Sequence, residues 1–216
     1  MLFAVSLKPG FGVGTTVCND ARIVFDFNAP IDTPAFCNTI GAPEDCGNCI
    51  DDDGEGLTDF EDPSCCTDGG PALSLQRGLV KPAKGKSRLQ LKGALAGTIP
   101  AVTATGLAVQ LRPANGSELL CARIAPEKFR RKGKAVRFSD KNGQLSGAGG
   151  VASLLLKSRK NGPVALTLAA KQASFATPPA GPLSITFGFG SGTTAGQCAT
   201  VTPTFRAKKG GVIITP

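Results

Sequence analysis

Arg88-Leu89-Gln90-Leu91-Lys92 sets leucine against charged or amide side chains with a period of two. A β-strand projects successive side chains to opposite faces, so such a stretch buries one face and leaves the other in water. The same alternation returns at Leu107, Val109 and Leu111, at Val164, Leu166 and Leu168, and at Leu183, Ile185, Phe187 and Phe189. The chain has 28 Gly and 16 Pro in 216 residues, clustered with Asn between these runs, and helix signals are sparse. Half-buried strands at this frequency predict an all-β chain, with an antiparallel β-sandwich over residues 71–216.

Working outward from the sandwich, charge divides the chain. Met1 to Cys66 holds two Lys and Arg against twelve Asp and Glu, a net −10. Thr67 to Pro216 holds 22 against four, a net +18, and together they give the overall +8. An asymmetry this large predicts separate modules. The expected division is the end of a truncated β domain over residues 1–40, an acidic Cys-rich loop over 41–70, and the basic sandwich.

The acidic loop contains Asp51-Asp52-Asp53-Gly54-Glu55-Gly56-Leu57-Thr58-Asp59-Phe60-Glu61-Asp62. Counting from Asp51, carboxylates fall at positions 1, 3, 5, 9 and 12, with glycine at position 6. A hard cation needs six to eight oxygen ligands, and twelve-residue calcium loops supply them at this spacing. The expected ligands are the side chains of Asp51, Asp53, Glu55, Asp59 and Asp62 and the carbonyl of Leu57, with Gly56 permitting the sharp turn. Magnesium fits less well, because it retains water and rarely uses a dedicated protein cage. The competing reading is a solvated acidic linker. The string resembles the calcium loops of thrombospondin type-3 repeats and, more distantly, of dockerins; Asp51, Asp53, Asp59 and Asp62 match that pattern. Glu55 stands where Asp or Asn is usual, and Asp62 where the EF-hand has a bidentate Glu, which predicts weaker binding.

Eight cysteines in clustered spacing predict disulfides and an oxidising compartment. A zinc site is the rival for Cys46, Cys49, Cys65 and Cys66, but Cys65 and Cys66 are adjacent and the chain has no His. The expected bonds run across the loop, from Cys46 or Cys49 to Cys65 or Cys66. Cys18 and Cys37 are expected to staple the N-terminal piece, and Cys121 and Cys198, both on the polar phase of their strands, to form a cross-strand bond.

Val13-Gly14-Thr15-Thr16-Val17-Cys18 and Ala21-Arg22-Ile23-Val24-Phe25-Asp26-Phe27 read as two strands. Asn28 to Pro34, with two prolines, is expected to leave the sheet. The phrase IVFDFNAPIDTPAFCNTI, Ile23 to Ile40, resembles the closing strands of Ig-like repeats in large exported bacterial proteins. No secretory signal is visible and no apolar run approaches the roughly 20 residues of a membrane span. The expectation is therefore a C-terminal fragment of a longer exported multidomain bacterial protein, extracellular or at the cell surface, with its signal in the missing N-terminal part.

Lys128, Arg130, Arg131, Lys132, Lys134 and Arg137 cluster around an expected Lys132-Gly133 turn, a candidate polyanion-binding patch. With no Trp or Tyr to stack on bases, specific nucleic-acid binding is not expected. The absence of His removes Ser-His and Cys-His catalysis, and no enzymatic activity is expected. Phe187-Gly188-Phe189-Gly190-Ser191-Gly192 is a glycine-rich strand end rather than a dinucleotide loop, since no helix pattern follows. The function expected is a calcium-binding structural or adhesive region, Ca²⁺ rigidifying the junction between β modules. The alternative is binding of polysaccharide or lipopolysaccharide by the basic sandwich, and the partners are accordingly Ca²⁺ and a surface polyanion or another surface protein.

Overall fold

A computed structural model describes residues 15–24, 29–39, 41, 43–67, 69–84, 86–114, 116–173, 182–190, 192, 194–208 and 211–215. Two compact units result: residues 1–44 with 51–56, and residues 45–50 with 57–216. The acidic 41–70 segment thus belongs partly to each. No helix among the described residues is long and apolar enough to cross a membrane.

Among its described residues the smaller unit has four short strands, β1 (Thr16–Asn19), β2 (Arg22–Ile23), β3 (Ile31–Asp32) and β4 (Phe36–Thr39). β1 pairs antiparallel with β4, placing Cys18 opposite Cys37, and the two are disulfide-bonded as expected. β2 pairs with β3, and Arg22 Nε donates to Asp32 Oδ1 at 2.8 Å on an exposed face. Ile31–Asp32 therefore corrects the expectation that residues 28–34 leave the sheet. Pro30 and Pro34 lie outside the two paired residues, so neither removes a ladder donor. Residues 13, 14 and 25–27 of the expected strands lie outside the described residues.

The larger unit continues with β5 (Cys66–Thr67), β6 (Leu73–Lys81), β7 (Ser87–Leu95), the helical turn α1 (Val102–Thr105), β8 (Leu107–Pro113), β9 (Leu120–Ile124), β10 (Arg130–Lys132) and β11 (Ala135–Ser139). It ends with β12 (Val151–Arg159), β13 (Gly162–Ala173), β14 (Leu183–Phe189), β15 (Gly196–Val201), β16 (Thr204–Lys208) and β17 (Gly211–Thr215). One sheet runs β10-β11-β12-β13-β7-β6-β17-β16, all antiparallel; the other runs β5-β15-β14-β8-β9, with only β5 parallel to its neighbour. The all-β reading holds. Both sheets feed one apolar core: Leu89, Leu91, Leu154, Leu156, Leu166 and Leu168 from the first, Leu107, Val109, Leu111, Ile124, Ile185 and Phe187 from the second. All but Leu154, Leu156 and Ile124 of these are residues the two-residue period singles out, because each pleat sends alternate side chains inward.

The alternation runs from Ser87 to Lys92 in β7, where Leu89 and Leu91 are buried and Arg88, Gln90 and Lys92 exposed. It fails in β8, which is buried on both faces. The outward residues Ala108 and Gln110 lie beneath residues 45–50 and 57–66, which cover the outer face of the five-stranded sheet.

Disulfides hold that cover. Cys46 bonds to Cys65 within the segment, one of the expected crossings. Cys49 bonds to Cys121 on β9 and Cys66 to Cys198 on β15, which corrects the expected Cys121–Cys198 bond and the second bond across the loop. The sheet order explains the correction. β9 and β15 are separated by β8 and β14. At about 4.8 Å per strand step, their cysteines stand roughly 14 Å apart, twice the reach of a disulfide.

Candidate functional site

Asp51, Asp53 and Glu55 belong to the smaller unit, and Leu57, Asp59 and Asp62 to the larger. In the first group, Asp51 closes a tight turn: its Oδ1 accepts from Gly54 N and its Oδ2 from Gly56 N, both at 2.8 Å. Asp53 Oδ1 accepts from Glu55 N at 3.1 Å. Gly54 and Gly56 have φ of +78° and +96°, a region most side chains avoid, so the glycines at positions 4 and 6 are what let the amides turn inward. Glu44, seven residues before the expected loop, joins this group. Its Oε2 accepts from Asp52 N at 2.9 Å, and its carboxylate lies within 4.8 Å of that of Asp53. The twelve-residue register contains no place for Glu44, so the spacing gave no signal of it.

In the larger unit, Asp59 is fully buried at φ +45°, a conformation Asp tolerates better than most residues. Its Oδ1 accepts from the backbone amides of Asn48 and Cys49, each at 3.1 Å. It lies close to Cys121 Sγ, but Cys49 and Cys121 are bonded to one another and offer no thiolate to a metal. Asp62 is also buried and caps the 3-10 turn Pro63–Cys65, accepting from Ser64 N at 2.6 Å and Ser64 Oγ at 2.7 Å. Two of the five expected carboxylates, Asp59 and Asp62, therefore work as hydrogen-bond acceptors that shape the cover.

Between Asp59 and Asp62, Phe60 anchors the cover on the sheet. Its ring lies over Gly188 and Gly190, outward residues of β14 and its end. A Cβ on Gly190 would come within 2.8 Å of the ring, and one on Gly188 closer still. The alternating Phe-Gly-Phe-Gly sequence is thus two-sided: Phe187 and Phe189 fill the core, and the glycines leave a slot for Phe60.

Next to that slot, a polar network is enclosed between cover and sheet. Arg112 Nε donates a short hydrogen bond to Glu61 Oε2. Gln110 Nε2 donates to Thr58 O at 2.8 Å and Glu118 Oε1 at 2.9 Å, and Thr58 Oγ1 donates to Glu118 Oε2 at 2.9 Å. Burial pushes the Glu61 carboxyl up to about 7; the hydrogen bond from Arg112 opposes the rise, and the nearby Glu118 charge adds to it. Glu61 Oε1 accepts no hydrogen bond among the described residues, which disfavours the ionised form further. Burial raises Glu118 as well, against hydrogen bonds from Gln110 and Thr58. Arg123 Nη2 donates to Gly190 O at 3.2 Å, and its guanidinium is lowered by burial, against the pull of Asp59 and Asp45.

The six cations of the expected basic patch sit at one edge of the eight-stranded sheet. β10 and β11 form a hairpin whose turn is Gly133-Lys134, one residue later than expected, with Gly133 at φ +56°. Lys128, Arg130, Arg131, Lys132, Lys134 and Arg137 are all exposed. Two of the six are engaged locally. Lys128 faces Glu127 at 3.8 Å, and Arg130 Nη1 folds back onto Glu127 O at 2.7 Å. No family model matches this chain, and neither a curated protein nor a solved structure matches it.

Proposed function

We propose that this chain is a non-enzymatic, calcium-binding structural region of a secreted or cell-surface bacterial protein. The observation that carries the reading is the turn over residues 51–56. There Asp51 and Asp53 are fixed by the amides of Gly54, Gly56 and Glu55, and the Glu44 carboxylate comes within 4.8 Å of Asp53. Carboxylates gathered at this density repel one another, and an all-oxygen donor set suits a hard cation best. When bound, Ca²⁺ would supply positive charge that offsets the repulsion between the Glu44 and Asp53 carboxylates.

The chain's own residues do the rest of the work. The bonds Cys46–Cys65, Cys49–Cys121 and Cys66–Cys198 fix the chain on both sides of residues 51–56, which reduces the freedom an ion must remove. Four disulfides fit an oxidising, extracellular environment. In such surroundings calcium is abundant, and an affinity on the order of 10⁻⁴–10⁻³ M suffices. Ion binding would stiffen the segment through which the chain leaves and re-enters the larger unit.

A calorimetric titration of the oxidised chain with CaCl₂ tests this, paired with thermal unfolding in calcium and in chelator. Saturable heat and a raised melting temperature, both lost in Asp51→Ala/Asp53→Ala, are expected. At a hundredfold excess over Kd, binding to the folded state alone adds about 2.7 kcal/mol. No heat and no shift would reduce residues 51–56 to an acidic turn.

A further inference from the structure

The outer face of the eight-stranded sheet differs in kind from the covered one. Every charged residue on its eight strands is Lys or Arg. Register fixes which of them share a face. Arg137 is opposite Leu155, Leu155 opposite Thr167, Thr167 opposite Lys92, and Lys92 opposite Arg77, so one row crosses five strands. Four residues along β7 stands Arg88, about 13 Å from Lys92 at about 3.3 Å per residue.

Two depressions, of about 460 and 550 Å³, adjoin on this face and share Gln90 and Ala169. Arg88 and Lys171 line the first, Arg77 and Lys92 the second. The short side chain of Ala169 lines both and that of Thr167 the second, between longer cationic side chains. The ion pairs among the described residues are Arg22–Asp32, Arg112–Glu61 and Lys128–Glu127, and none involves these four cations. Four exposed positive charges around one trough, none of them in an ion pair, repel one another and favour a ligand of opposite sign.

We propose that this trough binds a linear anionic polysaccharide, with Arg77, Arg88, Lys92 and Lys171 holding its carboxylate or sulfate groups. Charge complementarity selects the sign. The shape selects a chain over a plane, since a depression between cationic side chains does not lie flat on a lipid surface. The rings select against single-stranded nucleic acid. Phe60, Phe129, Phe138, Phe187 and Phe189 are all buried, and the trough offers no surface on which a base can stack. This reading is independent of the calcium turn, and neither depends on the other.

The test is affinity measurement at 0.15 M salt against heparin and a polyuronate, with duplex DNA and anionic phospholipid vesicles in parallel. Arg88→Gln/Lys92→Gln/Lys171→Gln is compared with Arg131→Gln/Lys132→Gln/Lys134→Gln, which removes the same charge from the hairpin edge. The trough variant is expected to lose at least about tenfold in affinity for the polysaccharides, and the edge variant under about threefold, with a shallower salt dependence in the trough variant. Equal losses would overturn the site. Failure to bind either polysaccharide, or tighter binding to DNA or vesicles, would overturn the ligand class.

Discussion

The two sheets of the larger unit bury their inner faces in one core, yet their outer faces carry charge in opposite ways. On the five-stranded sheet, Arg112 and Arg123 lie under a disulfide-bonded cover, among Glu61, Glu118 and Asp59. On the eight-stranded sheet, Arg77, Arg88 and Lys92 stand in water with no carboxylate on any strand of the sheet. The net charges of the chain's two halves describe neither face. Part of the acidic segment is packed against arginines on one face, and the excess of cations is left on the other.

Removing the bond that fixes the cover should have the largest effect. Cys66 and Cys198 are 132 residues apart, and releasing so long a loop in Cys66→Ser/Cys198→Ser should cost about 4 kcal/mol, read from the urea midpoint. A smaller loss is expected from the anchor itself. Phe60→Ala should cost about 3–4 kcal/mol, whereas Leu155→Ala, half-buried on the open face, should cost under about 1.5 kcal/mol. Equal costs in that pair would mean the cover does not seal its face.

The pH dependence sharpens the same contrast. Because the folded Glu61 carboxyl is raised from 4.5 to about 7, the native state holds a proton that the unfolded chain releases first. Its contribution is present at acid pH and is lost as pH rises from about 4.5 through 7. Glu118 is shifted in the same direction. Melting temperature should therefore fall across that window, and the fall should be shallower in Glu61→Gln. The smallest effect belongs to the open face: Lys92→Gln has no ion pair to break and should change stability by less than about 0.5 kcal/mol in denaturant titration.

What could be read in advance follows from which interactions are local. The pleat makes Leu89 and Leu91, or Ile185 and Phe187, declare a buried face within a few residues. Sheet order does not declare itself: nothing near β7 says that β13 lies beside it, and with the order unknown Cys49 and Cys66 are expected to bond across the loop rather than to Cys121 and Cys198. The outward Ala108 and Gln110 look like exposed positions until the cover is placed over them. The glycines at 188 and 190 acquire a reason only once Phe60 lies between them. In the acidic loop, spacing alone does not separate the buried carboxylates that brace the cover, Asp59 and Asp62, from those of the turn over residues 51–56. Glu44 lay outside the pattern altogether.

The difference between the two faces is most directly measured by reacting the native, oxidised chain with an arginine-selective dicarbonyl and following each site by mass spectrometry. Arg77, Arg88 and Arg137 should be modified several-fold faster than Arg112 and Arg123, and the gap should close on reduction. Equal rates at all five in the oxidised chain would contradict the account.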